Sequence, residues 1–291
     1  MSGTSRSQKR FLGGESSGLA GPGRFDRTTL SASSLASFTR LARETAYWNE
    51  VYGSTGSEHF KYLWSQQLHE HSYVGECFYK VACLLKQKTI LSLGGGVDLL
   101  SLWLAKEGNH VVTVDVSAAA AAKTRELAIC NGVEEYLTTL VSSAEEVALE
   151  SESFDVVLTQ RALHHMDVVR TVGRVYKWLT SGGIFLAEEP ICLLRTLQWL
   201  HKKVPFHPSA PRTPDERELS EDDLALIRRM FSQVRVSYFD CLTRESVAYF
   251  LCKARMDWFL NSLGRIDHFL INQGLPILRG LGTYAIIEAT K

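Results

Sequence analysis

The chain has 291 residues, 45% of them hydrophobic, enough for one large α/β domain or one domain with a cap. Lys plus Arg and Asp plus Glu balance at 32 each, so no global field favours nucleic acid or an anionic membrane, and a small-molecule ligand is expected instead. The six cysteines (Cys77, Cys83, Cys130, Cys192, Cys241, Cys252) stand singly in apolar runs with no C-x-x-C pair, which argues for free thiols and against zinc or a redox dithiol.

Residues 1–28 are rich in Ser, Gly and Arg and bury too little apolar surface to offset ordering entropy, so they are expected to be a disordered tail. The tail has no continuous apolar core, and no later stretch is long and apolar enough to cross a bilayer. A cytoplasmic protein is the expectation. Residues 29–86 read as a helical cap, with apolar residues at three- and four-residue spacing in "LASFTRLARETAYWNEVY" and in "SEHFKYLWSQQLHEHSYVGECFYKVACLLK". Its aromatics are dense (Tyr47, Trp48, Tyr52, Phe60, Tyr62, Trp64, Tyr73, Phe78, Tyr79) and suit a lid or a homo-oligomer surface.

After Lys86 short β-branched runs alternate with helical ones. "TILSL" predicts a strand, "LLSLWLAKEG" a helix, "HVVTVDV" a strand, and "AAAAAKTRELAICNG" a helix closed by Gly132. Then come "LTTLVS", a short acidic turn, the strand "FDVVLTQ", the helix "VVRTVGRVYKWL" ending at "SGG", and the strand "IFLAEEP". This alternation implies right-handed crossovers and a doubly wound, Rossmann-like, mostly parallel sheet. A lid insertion is expected over about 191–232, where "HKKVPFHPSAPRTPDERELSEDD" holds four of the seven prolines. "VRVSYFD" and "GTYAIIEAT" predict two closing strands, separated by a helical stretch from about Thr243 to Leu270.

The turn "SLGGGVD" between the first strand and helix raises the question of its ligand. A dinucleotide fingerprint starting at Gly94 and Gly96 needs a third glycine where Leu99 stands, and no G-K-[ST] follows to make a phosphate loop. What remains is a turn whose backbone approaches a ligand closely, with Asp115 at the end of the next strand, suited to gripping a ribose diol.

In these motifs the chain resembles the class I S-adenosylmethionine-dependent methyltransferases. The resemblance rests on "ILSLGGGVD", Asp115 in "VTVDVS", "VSSAEEV", "FDVVLTQRALHHM" and "WLTSGGIFLAEEP", in that order. It covers roughly Thr89–Pro190 and more loosely the rest to Lys291. The resemblance implies a seven-stranded sheet with the last strand inserted antiparallel, S-adenosyl-L-methionine as cofactor, and cofactor contacts from Gly94, Gly95, Gly96, Asp98, Asp115, Val116, Ser143, Ala144 and Gln160.

Three positions depart from the family pattern. Ser92 and Ser143 stand where acids are usual, and Asp98 stands where a second turn glycine is usual. Asp98 either replaces the acid missing at 92 as partner of the methionine ammonium or caps the following helix. Glu145 is the candidate replacement at the adenine.

In "RALHHM", just past the fourth strand, His164 and His165 are base candidates because imidazole titrates near neutrality. Adjacent residues diverge, so one should face the acceptor, and the resemblance favours His165. The alternative is that the pair only shapes the loop. Glu188 and Glu189 can orient the acceptor or pair with Arg212 or Arg217 of the lid, and Asp155 at the start of its strand reads as structural. "HEH" (His69–His71) lacks further ligands at metal spacing, so no metal is expected. The sequence thus points to a methyltransferase for a small, largely apolar metabolite, by O- or C-methylation in secondary metabolism (a terpenoid, polyketide or indole product). The rivals are a cyclase using bound cofactor and a non-catalytic binding protein.

Overall fold

A computed structural model describes residues 32–54, 73–194, 213, 215–240, 257–274 and 276–291. The β-branched runs form β1 (Thr89–Leu93), β2 (His110–Asp115), β3 (Leu137–Val141), β4 (Phe154–Gln160), β5 (Leu179–Pro190), β6 (Gln233–Phe239) and β7 (Tyr284–Thr290). They lie in one sheet in the order β3-β2-β1-β4-β5-β7-β6. The first five are parallel, and β7 runs antiparallel between β5 and β6, as the resemblance implied.

Strand alternation divides the core into two layers. On β1 and β4, Ile90, Val156 and Leu158 enter one apolar cluster, while Leu91, Leu93 and Val157 enter the other. The first is covered by α2 (Tyr73–Ala82), α3 (Leu99–Lys106) and α4 (Ala118–Cys130), the second by α5 (Val168–Trp178) and α6 (Glu221–Met230). Both faces are covered and buried, which is why the parallel strands read as nearly continuous apolar runs. α1 (Ala32–Ser54) reaches α4 across the strand ends, and α7 (Asp257–Phe269) packs beside α2 and β6.

Each crossover helix next to the strand ends starts with a side-chain cap. Asp98 accepts from Ser101 N, Ser117 from Ala120 N and Asp167 from Arg170 N. α6 carries a full capping box between Ser220 and Asp223. That helix occupies residues 221–230 of the stretch expected to be a lid, because "SEDD" is a helix start rather than the end of a loop. β5 also begins earlier than expected, at Leu179, with a register shift opposite Phe154 and Val156 that the positive φ of Gly182 accommodates.

The expected cap boundary at 86/87 falls between α2 and β1. The 1–28 tail, His69–His71, Phe60, Tyr62, Trp64, Arg212, Cys241 and Cys252 lie outside the described residues. Among the described residues, Cys77, Cys83, Cys130 and Cys192 form no disulfide.

Candidate functional site

Strand order reverses at β1, whose neighbours β2 and β4 feed crossovers to opposite sides, and that opens a crevice at the strand ends. A cavity of about 860 Å³, counting the space at its mouth, occupies the crevice. Its sheet side consists of Gly94 and Gly95 after β1, Val114, Asp115 and Val116 at the end of β2, Ser142–Glu145 after β3, and Gln160–Ala162 after β4.

The glycine turn is shaped by its neighbours. Gly94 has φ +67°, and a Cβ there would come within 2.7 Å of the Ala162 Cβ. Gly96 has φ +59°, and its Cβ would come within 2.0 Å of the Tyr52 hydroxyl. Only glycine fits either position without displacement. The turn is tied to β2 by the amide of Gly96, which donates to Asp115 Oδ2 at 2.8 Å, while Ser117 N donates to Oδ1 at 2.7 Å. Burial raises the Asp115 carboxyl above its ordinary value, the two amides oppose this, and the charge of Asp98 adds to it. Each oxygen keeps a lone pair for a further donor.

Asp98 is the helix cap. Its Oδ1 accepts from Ser101 N, and its Oδ2 accepts from Ser101 Oγ at 2.7 Å and from Ser92 Oγ at 2.6 Å. The Ser92–Asp98 pair thus sets one buried carboxylate beside the end of β1. It faces a smaller recess shared with Gly95 and Gln160, not the main cavity.

The roof comes from α1. Arg40, Glu44, Trp48 and Tyr52 recur every fourth residue and so share one helix face, with Leu41 beside them, over the strand ends. Arg40 pairs with Glu145 and donates to the carbonyl of His165 at 2.6 Å. Trp48 stacks on Tyr52 and meets His165 edge-on, and its indole N–H donates to Glu44 at 3.0 Å. Burial, with Asp115 and Asp98 nearby, pushes the Tyr52 phenol up to about 12. Burial also pushes Glu44 up, but the His165 imidazole, the Thr213 hydroxyl and the Trp48 indole outweigh that, and its carboxyl lies below the ordinary range.

The two histidine rings do not point apart as expected: their centroids lie 4.1 Å apart, and only one of the two reaches the cavity. His165 lines the cavity, and its Nδ1 lies 3.4 Å from Glu44 and from the Thr213 hydroxyl. His164 is buried, with Nδ1 2.8 Å from Glu189. Glu189, fully buried, also accepts from the amides of Ala162, Leu163 and His164, so it holds the turn rather than facing the crevice. Glu188 pairs with Arg161 and Gln160. Arg217, expected opposite these acids, instead pairs with Asp223 at 2.6 Å. Asp155 is structural, accepting from Thr89 N.

The structure thus gathers Gly94, Gly95, Asp115, Val116, Ser143, Ala144, Gln160 and His165 on one cavity. Gly96, Asp98, His164 and Glu189 stand one layer behind it. Sequence reasoning did not assign Arg40 and Glu44 to the site. The four-residue stripe was readable, but its mixture of charge and aromatics escapes a search for apolar periodicity.

Residues 91–187 match the family model described as a methyltransferase domain. The matched stretch runs from β1 into β5 and is a third of the chain. The probable protein arginine N-methyltransferase 1.2 of Arabidopsis thaliana is 31% identical over 135 residues, 44% of this chain and 36% of that protein. Phosphoethanolamine N-methyltransferase 1 of Triticum aestivum is 31% identical over 132 residues, 43% of this chain and 26% of that one. The chain therefore matches only about a third or a quarter of these relatives' own lengths.

Among solved structures, the geranyl diphosphate C-methyltransferase of Streptomyces coelicolor, in complex with Mg²⁺, geranyl diphosphate and S-adenosyl-L-homocysteine, superposes with a TM-score of 0.56 at 12% identity, over 86% of this chain and 97% of that one. The [4+2]-cyclase SpnF superposes at 0.51 and 15% identity, over 90% and 96%. At these identities they establish the fold of the methyltransferase domain and its flanking strands.

Proposed function

We propose that the chain binds S-adenosylmethionine in this cavity and transfers its methyl group to a small, largely apolar metabolite by O- or C-methylation, in secondary metabolism and in the cytoplasm. The observation that carries the reading is Asp115, which stands at the switch point with both oxygens oriented by backbone amides and a lone pair on each open to a ribose diol. The donor set fits the cofactor. The glycine turn lies along one side for the methionine portion, while Val116, Ser143 and Ala144 offer an edge for the adenine. The buried Ser92–Asp98 carboxylate supplies the negative charge for the methionine ammonium from behind the turn.

The cofactor supplies the activated methyl, so the protein's own contribution is placement. Holding acceptor and methyl in line is worth up to ~7–11 kcal/mol in favourable systems. Leu41, Trp48 and Met166 line the opposite side and suit an apolar body, while His165 is the polar group we set against the acceptor's reacting end. The test is incubation with S-adenosylmethionine and a panel of apolar alcohols, phenols and alkenes, followed by quantification of S-adenosylhomocysteine. Acceptor-dependent product is the expected result. Cofactor bound but never turned over across the panel would leave the cyclase reading in its place.

A further inference from the structure

We propose that His164, His165 and Glu216 form a site for one divalent transition-metal ion of the zinc type at the acceptor end of the cavity, where the ion takes an oxygen of the acceptor. This deepens the methyl-transfer reading and, for the acceptor's identity, rests on it.

Each of the three residues offers one ligand atom, and these atoms all lie within 4.8 Å of one another. Two imidazole nitrogens with one carboxylate, leaving positions open, is a donor set suited to zinc or a similar first-row ion. With bonds of about 2.0–2.1 Å, two ligands of a tetrahedral ion stand about 3.3 Å apart. His164 Nε2 and Glu216 Oε1 are 3.8 Å apart, which a small side-chain rotation closes.

Two independent features mark the cluster as more than three polar side chains in proximity. The first is the tautomer of His164. Its Nδ1 lies 2.8 Å from the fully buried Glu189, a carboxylate already fixed by backbone amides, so the ring's N–H belongs on Nδ1. Its Nε2 is thereby turned into the cluster, toward Glu216 Oε1. A carboxylate behind a ligating histidine is the usual outer partner of such metal sites.

The second feature is Glu44. It is 3% exposed, its Oε2 is 3.4 Å from His165, and its Oε1 has no hydrogen-bond partner among the described residues. Arg40 turns its guanidinium to Glu145 and to a carbonyl, so it does not occupy the place at that oxygen.

The chemistry balances without an oxidant. An acceptor hydroxyl bound to the ion loses its proton to water, and its oxygen forms the new O–CH₃ bond as the S–CH₃ bond breaks. The sulfur keeps the electron pair, and the metal's charge is unchanged. His165 thereby acts on the acceptor through the ion.

The test is a titration of the untagged full chain with Co²⁺, followed by visible absorption, beside calorimetry with S-adenosylhomocysteine. One equivalent of Co²⁺ should bind with the intense bands of a low-coordinate site. Glu216→Gln and His164→Ala should each weaken that binding at least about tenfold while retaining S-adenosylhomocysteine binding, which shows that they fold. Glu216 is partly exposed, so its variant carries the test if His164→Ala does not fold. Absence of the bands in the wild type, or their survival in Glu216→Gln, overturns the inference. Co²⁺ binding without S-adenosylhomocysteine binding would sink the methyl-transfer reading and leave the metal site standing.

Discussion

The two sides of the cavity are built by different rules. The sheet side is fixed by backbone: strand ends at a topological switch, glycines with positive φ, and a carboxylate held by two amides. The roof is one helix held by side-chain ties, through its own Arg40 to Glu145 and Asn49 to Ser117 and Ala119, and through Lys123 of α4 to the carbonyl of Tyr52. The first arrangement recurs wherever a chain folds this way and binds such a ligand. The second can be rewritten one residue at a time, which makes α1 the side that adapts to an acceptor.

Substitutions on the sheet side should have the largest effects. Asp115→Ala removes an acceptor of two charge-assisted bonds from a ribose diol, each worth about 1.5–3 kcal/mol, so S-adenosylmethionine affinity should fall 100-fold or more in calorimetry. Retained affinity would mean that the diol lies elsewhere. Gly96→Ala brings roof and sheet into collision, since the new Cβ would meet the Tyr52 hydroxyl at 2.0 Å and φ +59° adds about 1–2 kcal/mol of strain. Adding Tyr52→Ala should recover the steric part of the loss in thermal stability and leave the strain. No recovery would show that α1 does not press on the turn.

The two sides also titrate oppositely. Asp115 has a folded value raised above the ordinary one, so it protonates early as pH falls; this favours the fold but removes the carboxylate that binds the cofactor. Glu44 has a lowered folded value, so its contribution to holding α1 is full above the ordinary glutamate value and is lost only as pH falls through the lower one. Acidification should therefore weaken S-adenosylmethionine binding first, in the window just above the ordinary carboxylate range. A change in Trp48 fluorescence should follow at lower pH, and the reverse order would contradict the assignment.

Smaller effects are expected from the ties. Asp98→Asn keeps a good helix cap but removes the charge, so cofactor affinity should drop about tenfold at nearly constant stability. An unchanged affinity would confine Asp98 to capping. Arg43→Ala breaks an exposed pair with Asp215 and should cost no more than about 1 kcal/mol by denaturant unfolding.

The sheet side was legible in the sequence because its signals are local. Strand-length apolar runs, three glycines and an acid at the end of the next strand determine one another through backbone geometry. Where the sequence reading diverged from the structure, long-range contacts decided. Glu189 reads as a crevice acid by position, yet three amides and an imidazole from the turn after β4 claim it. Arg217 pairs six residues along with Asp223, because a helix rather than a loop begins at Ser220 and sets that carboxylate beside it. The roof residues depend on how α1 crosses the sheet, which no motif within α1 encodes.

The most direct test of the central claim is calorimetric titration of the purified full chain with S-adenosylmethionine and S-adenosylhomocysteine. The account predicts binding of both at a single site, abolished by Asp115→Ala. Failure of both ligands to bind a folded wild-type protein would contradict it.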